Sequence, residues 1–109
     1  MSFEVLTATV NETTVAAADT ELDDLAAAAC DLVATESAVK MTCQGKMTVQ
    51  DGSSNEKVFS LDIVAYEVSE AKIKDVIAQY TAAMTAIEGA STYTSVQSVK
   101  IKVKFVVTE

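Results

Sequence analysis

Apolar and polar residues alternate without a break over residues 39–50. Val39, Met41, Cys43, Met47 and Val49 fall on one side, with Gly45 in the same row. Lys40, Thr42, Gln44, Lys46, Thr48 and Gln50 fall on the other. A period of two marks a half-buried strand. At ~3.3 Å per residue it spans roughly 40 Å, and Gly45 marks a candidate bulge or bend in it. The stretch Asp51-Gly-Ser-Ser-Asn-Glu56 is rich in turn formers. Beyond it Phe59, Leu61, Ile63 and Ala65 alternate with Ser60, Asp62, Val64 and Tyr66. The two runs predict an antiparallel hairpin. Aligning their inward rows pairs 49 with 59, 47 with 61 and 43 with 65, and sets Gly45 opposite Ile63. It also sets Lys46 opposite Asp62, a favourable cross-strand pair.

Residues 93–108 read as another strand, with Val99, Ile101, Val103, Phe105 and Val107 pointing one way and Lys100, Lys102 and Lys104 the other. At the other end of the chain, residues 3–10 are rich in β-branched and apolar types and predict a strand. Residues 11–19 are open between strand, loop and helix.

Two helices complete the pattern. Ser69 reads as an N-cap, with Val68 and Ile73 as a hydrophobic staple. Ile73, Val76, Ile77, Tyr80, Met84 and Ile87 form one apolar stripe, and Gly89 reads as a left-handed cap. These predict a helix over 70–88. An Ala-rich stripe of Leu22, Leu25, Ala26, Ala29, Leu32 and Val33 predicts a helix over 21–36. Thr20 is its expected N-cap, with Glu21, Asp23 and Asp24 in the first turn, where the helix dipole favours acids.

The order strand, helix, strand, strand, helix, strand predicts an α+β two-layer sandwich. One mainly antiparallel four-stranded sheet carries both helices on one face. Right-handed crossovers favour the split, ferredoxin-like topology, with another strand order in the same layers as the alternative. That topology puts the strands at 39–50 and 93–108 on the edges, where lysines discourage open-ended pairing.

Composition narrows the function. The 109 residues make one domain, half apolar, with eight Lys, sixteen acids and a net charge of -8. Residues 1–37 hold eight of the acids and no base. No apolar run reaches the ~20 residues of a membrane span, and the N-terminus has no signal-peptide pattern. The expected location is the cytoplasm, or a particle assembled from a cytoplasmic pool.

The chain has no His, Arg, Trp or Pro. The usual general base, zinc ligand and bidentate phosphate clamp are therefore missing. Gly45, Gly52 and Gly89 are scattered, so no phosphate loop forms. Two cysteines, Cys30 and Cys43, read as buried free thiols, with a disulfide between them as the alternative. Asp51, Ser53, Asn55 and Glu56 supply oxygens in one loop but miss the EF-hand spacing. The acid pairs have capping or ion-pairing explanations. Net negative charge argues against nucleic acid, which rests on cationic neutralisation. No catalytic, cofactor-binding or metal residues are expected.

The expectation is a non-enzymatic structural or interaction protein that self-assembles or docks to a protein partner. A homo-oligomer, without nucleic acid or membrane, is the expected assembly, and a viral or phage structural component fits the profile. The candidate contact residues are the basic strip Lys100, Lys102 and Lys104 and the acidic helix residues Glu21, Asp24 and Asp31. A small-molecule-binding or regulatory domain is the first alternative. An acidic inhibitor or nucleic-acid mimic is the second.

Overall fold

A computed structural model describes residues 3–108 of the chain. The elements are β1 (Phe3–Glu12), α1 (Val15–Thr35), β2 (Ser37–Asp51), β3 (Glu56–Tyr66), α2 (Glu70–Glu88) and β4 (Tyr93–Thr108). They form a four-stranded antiparallel sheet with two helices, an α+β sandwich. The Cα extents are 54 × 19 × 18 Å. The long dimension is that of the central strands, which run 15 and 16 residues.

The strand order is β1-β4-β2-β3. This corrects the expected edges. β2 and β4 are the central pair, and β1 and β3 lie outside. Each helix still connects strands that have one other strand between them, but the ferredoxin-like order, which leaves β2 and β4 outermost, is not adopted. The inward rows give the physical reason. Val99, Ile101, Val103, Phe105 and Val107 are all buried, as a strand flanked on both sides requires. The matching row of β1 begins and ends on Glu4 and Glu12, which a central position would bury at high cost.

The hairpin keeps its expected faces but moves by two residues. Met47 faces Phe59, Gly45 faces Leu61 and Cys43 faces Ile63. Lys46 therefore faces Ser60, and Asp62 faces Gln44. The turn decides this. The Asp51 carboxylate accepts from the Ser53 and Asn55 amides at 2.8 and 3.0 Å, and the Asp51 amide donates to the Asn55 carbonyl. Those bonds hold the Asp51 carboxyl below its usual range, the Asn55 amide first. Ser54 takes the left-handed conformation (φ 63°) that closes the loop. At the start of β2 an irregularity between Ala38 and Lys40 turns Ala38 inward and leaves Val39 exposed, against expectation.

α2 has its expected bounds. Ser69 Oγ accepts from the Lys72 amide at 3.2 Å, and Ile73, Val76, Ile77, Tyr80 and Met84 are buried. Gly89 is right-handed (φ -77°) rather than left-handed. Its amide returns to the Thr85 carbonyl at 2.9 Å. α1 starts six residues before its expected first residue. Thr14 is the N-cap, accepting from the Ala17 amide at 3.2 Å, whereas the Thr20 hydroxyl donates to the Ala16 carbonyl inside the helix. The earlier start adds Val15 and Ala18 to the buried stripe with Leu22 and Ala29. Glu21, Asp23 and Asp24 are therefore mid-helix, and the first turn holds no acid.

No bulge interrupts the β2–β3 ladder at Gly45. The glycine is there because the Tyr80 ring lies against it. A Cβ at residue 45 would stand 2.5 Å from the ring edge. The Tyr80 hydroxyl donates to the Leu61 carbonyl at 2.6 Å, so α2 is fastened to the hairpin through the gap left by the missing side chain.

Candidate functional site

The sheet face opposite the helices collects cations. Lys100, Lys102 and Lys104 project from β4 at successive outward positions. The central position of β4 brings the outward row of β2 beside them. Lys46 stands directly opposite Lys100, Gln44 opposite Lys102, Thr42 opposite Lys104 and Lys40 opposite Val106. Five of the eight lysines thus share one face, whose acids among the described residues are Asp62 and Glu56 on β3. The Lys46–Lys100 row ends in Asn11 on β1 and Ser60 on β3, with no acid in it. Like charges directly opposite on neighbouring strands are destabilising.

A depression of about 660 Å³ is lined by Lys46, Lys100, Lys102, Gln44, Asp62 and Thr9, among others. Toward one end the surface turns apolar. Phe3, Val5, Val64 and Tyr66 are exposed there, and the Lys40 ammonium sits 5.8 Å from the Tyr66 ring centre, within cation–π range.

The helix layer carries the opposite charge. α1 and α2 together hold eight acids and two lysines. Asp24 and Asp31 are exposed on α1. Seven residues separate them, two turns along one crest. Asp24 borders the groove beside β1 and Asp31 the groove beside α2. Glu21 is half-buried beneath them against β1. A hydrogen bond with Glu12 raises the Glu21 carboxyl above its usual range, helped by desolvation and by the Glu12 charge. A neighbouring carboxylate and loss of water both favour the protonated form of the Glu21 carboxyl. On α2, Glu70 and Lys74 form an ion pair at 2.8 Å.

The candidate residues therefore separate into two clusters on opposite sides of the molecule. Lys100, Lys102 and Lys104 stand together, joined by Lys40 and Lys46. Glu21, Asp24 and Asp31 lie across the sheet from them. The joining lysines and the Glu12–Glu21 pair escape sequence reasoning, because both depend on which strands are neighbours.

Both cysteines are free. Cys43 is buried, and desolvation pushes its thiol up to about 11. Cys30 is half-buried rather than buried, and desolvation raises it as well, with the Glu70 charge adding to the effect. Neither thiol is activated toward nucleophilic chemistry. Among the described residues, no three His, Cys, Asp or Glu side chains stand close enough to hold a metal ion. Among the described residues, no helix is long and apolar enough to cross a membrane. The sequence matches no protein-family model and no curated protein.

Proposed function

We propose that the protein is a non-enzymatic structural subunit that assembles with copies of itself, drawn from a cytoplasmic pool. The basic sheet face of one copy meets the acidic α1 crest of the next. The observation that carries this reading is the Lys46–Lys100 pair, two ammonium groups set opposite each other in a row with no acid. No acid stands directly opposite either lysine to offset their repulsion, and Asp62 on β3 lies diagonal to Lys46. An acidic surface docking from outside offsets that repulsion, and α1 offers Asp24 and Asp31 two turns apart on an accessible crest. Docking of two different surfaces repeats from copy to copy, and closes into a ring or extends as a filament.

The test is solution mass by light scattering over a dilution series at low and high salt. The expected result is an oligomer that dissociates on dilution and more readily at high salt, because exposed charges are screened. Replacing Lys100 and Lys102 by Glu should lower the mass at low salt. A monomer under every condition overturns the proposal.

A second reading rests on the depression itself. Three ammonium groups around a concave surface also suit a small polyanion. A melting temperature that rises with added polyphosphate, and does not change with protein concentration, favours that reading over assembly.

A further inference from the structure

The two free edges of the sheet carry a further contact. Of the seven large apolar side chains that are exposed among the described residues, Phe3, Val5 and Leu6 lie on β1 and Val58, Val64 and Tyr66 on β3. Only Val39 lies elsewhere. β1 is ten residues long and β3 eleven, about twice the usual strand length. Both ladders are regular, with no bulge, and β1 holds neither Lys nor Pro. Long, regular, apolar edges are templates for another strand.

We infer that β1 of one copy pairs antiparallel with β3 of the next, so that the sheet continues from subunit to subunit. This rests on the self-assembly proposed above and names a second contact for it, in the plane of the sheet. The topology sets the direction. β1 runs parallel to β2 and antiparallel to β3. A copy moved sideways without being turned over therefore brings β3 antiparallel to β1.

One register uses all of β1 and keeps both faces aligned. It sets Phe3 opposite Tyr66, Val5 opposite Val64, Thr9 opposite Ser60 and Glu12 opposite Lys57. On the helix side Leu6 then meets Ile63 at a 440 Å³ groove between β1 and α1, walled by Leu25, Leu32 and Phe105. Phe3, Val5 and Leu6 thus meet apolar residues of β3, Val58 falls opposite Asn11, and Lys57 arrives beside the Glu12–Glu21 carboxyls. Charge complementarity thus selects a second copy's β3 as the occupant.

The test is a cysteine pair, T9C with S60C, in a Cys30→Ser background that keeps the buried Cys43. Oxidation should give a ladder of linked oligomers. T9C with D62C, two residues out of register, should give little. Reversing one charge, K57E, should weaken assembly by roughly fivefold, the size of one cross-strand charge pair, and E12K with K57E should restore it. Oligomers that scatter as expected but give no ladder and ignore K57E overturn the edge pairing alone. T9C alone forming linked dimers also overturns it, in favour of β1 against β1. A monomer throughout overturns this inference together with the assembly it rests on.

Discussion

Replacing Gly45 by Ala tests the contact that joins α2 to the hairpin. The new Cβ would lie 2.5 Å from one carbon of the Tyr80 ring and 3.2 Å from the next. Carbon atoms sit comfortably at about 3.5–4.0 Å, so the ring must move by about 1 Å. It is not free to do so. Tyr80 is buried at 3% exposure, and its hydroxyl is fixed to the Leu61 carbonyl on the strand facing Gly45. Overpacking of this kind costs about 1–3 kcal/mol. Loss of the hydroxyl's hydrogen bond adds about 1 kcal/mol. The expected destabilisation is about 2–4 kcal/mol in urea unfolding, with an unchanged m-value. At about 4–8 °C per kcal/mol for a domain of this size, the melting temperature falls by roughly 8–32 °C. G45A combined with Tyr80→Leu should lose less than the two single changes added together, since the shorter side chain vacates the clash. A G45A protein within about 0.5 kcal/mol of the parent, with the Tyr80 bond intact, refutes this account of the glycine.

Three further outcomes follow from the geometry. Thr14→Ala should cost about 1 kcal/mol in chemical denaturation, the usual worth of a helix N-cap. Thr20→Ala should cost little, and the reverse ranking would return the helix start to residue 21. Glu21→Gln should raise the melting temperature at pH 7. A carboxyl raised above its unfolded value stabilises the fold while protonated and withdraws that help as pH rises through its folded pKa. The gain should vanish below the ordinary glutamate range, and a gain equal at every pH would exclude the Glu12 pairing. Under native conditions a thiol reagent should label Cys30 at a measurable rate and Cys43 only on unfolding, since Cys43 is buried and its thiol stays protonated up to about 11. Equal labelling by mass spectrometry would show that the core opens at β2.

The chain's alternation carries most of the sheet. Val99 to Val107 and Met41 to Val49 show their inward rows directly, and Ser69 marks where α2 begins. The start of α1 is less legible. Thr14 and Thr20 are equally able to cap, and the alanines between them favour a helix without showing a face. Val15 reveals its role only once it packs. Strand order leaves a fainter mark. Glu4 and Glu12 in the inward row of β1, and Lys57 in that of β3, are residues a central strand could not bury, so the edges were written in these exceptions rather than in the lysine strips. The basic face followed from the order. Lys100, Lys102 and Lys104 could be grouped from spacing alone, while Lys46 joins them only because β4 lies beside β2. The two-residue shift of the hairpin hides in the Asp51 turn, whose side-chain bonds fix the loop length while leaving the inward pattern unchanged.

The placement of β4 between β1 and β2 also orders events during synthesis. β1 is made first, yet its partner is the last strand in chain order, some 80 residues later. At about 5–20 residues per second that interval is roughly 4–16 s. During it β2 and β3 can close their hairpin and α2 can cap itself at Ser69, but β1 has no strand to join. The sheet is then completed in one late event, when β4 arrives between two waiting neighbours and stitches the earliest part of the chain to the middle.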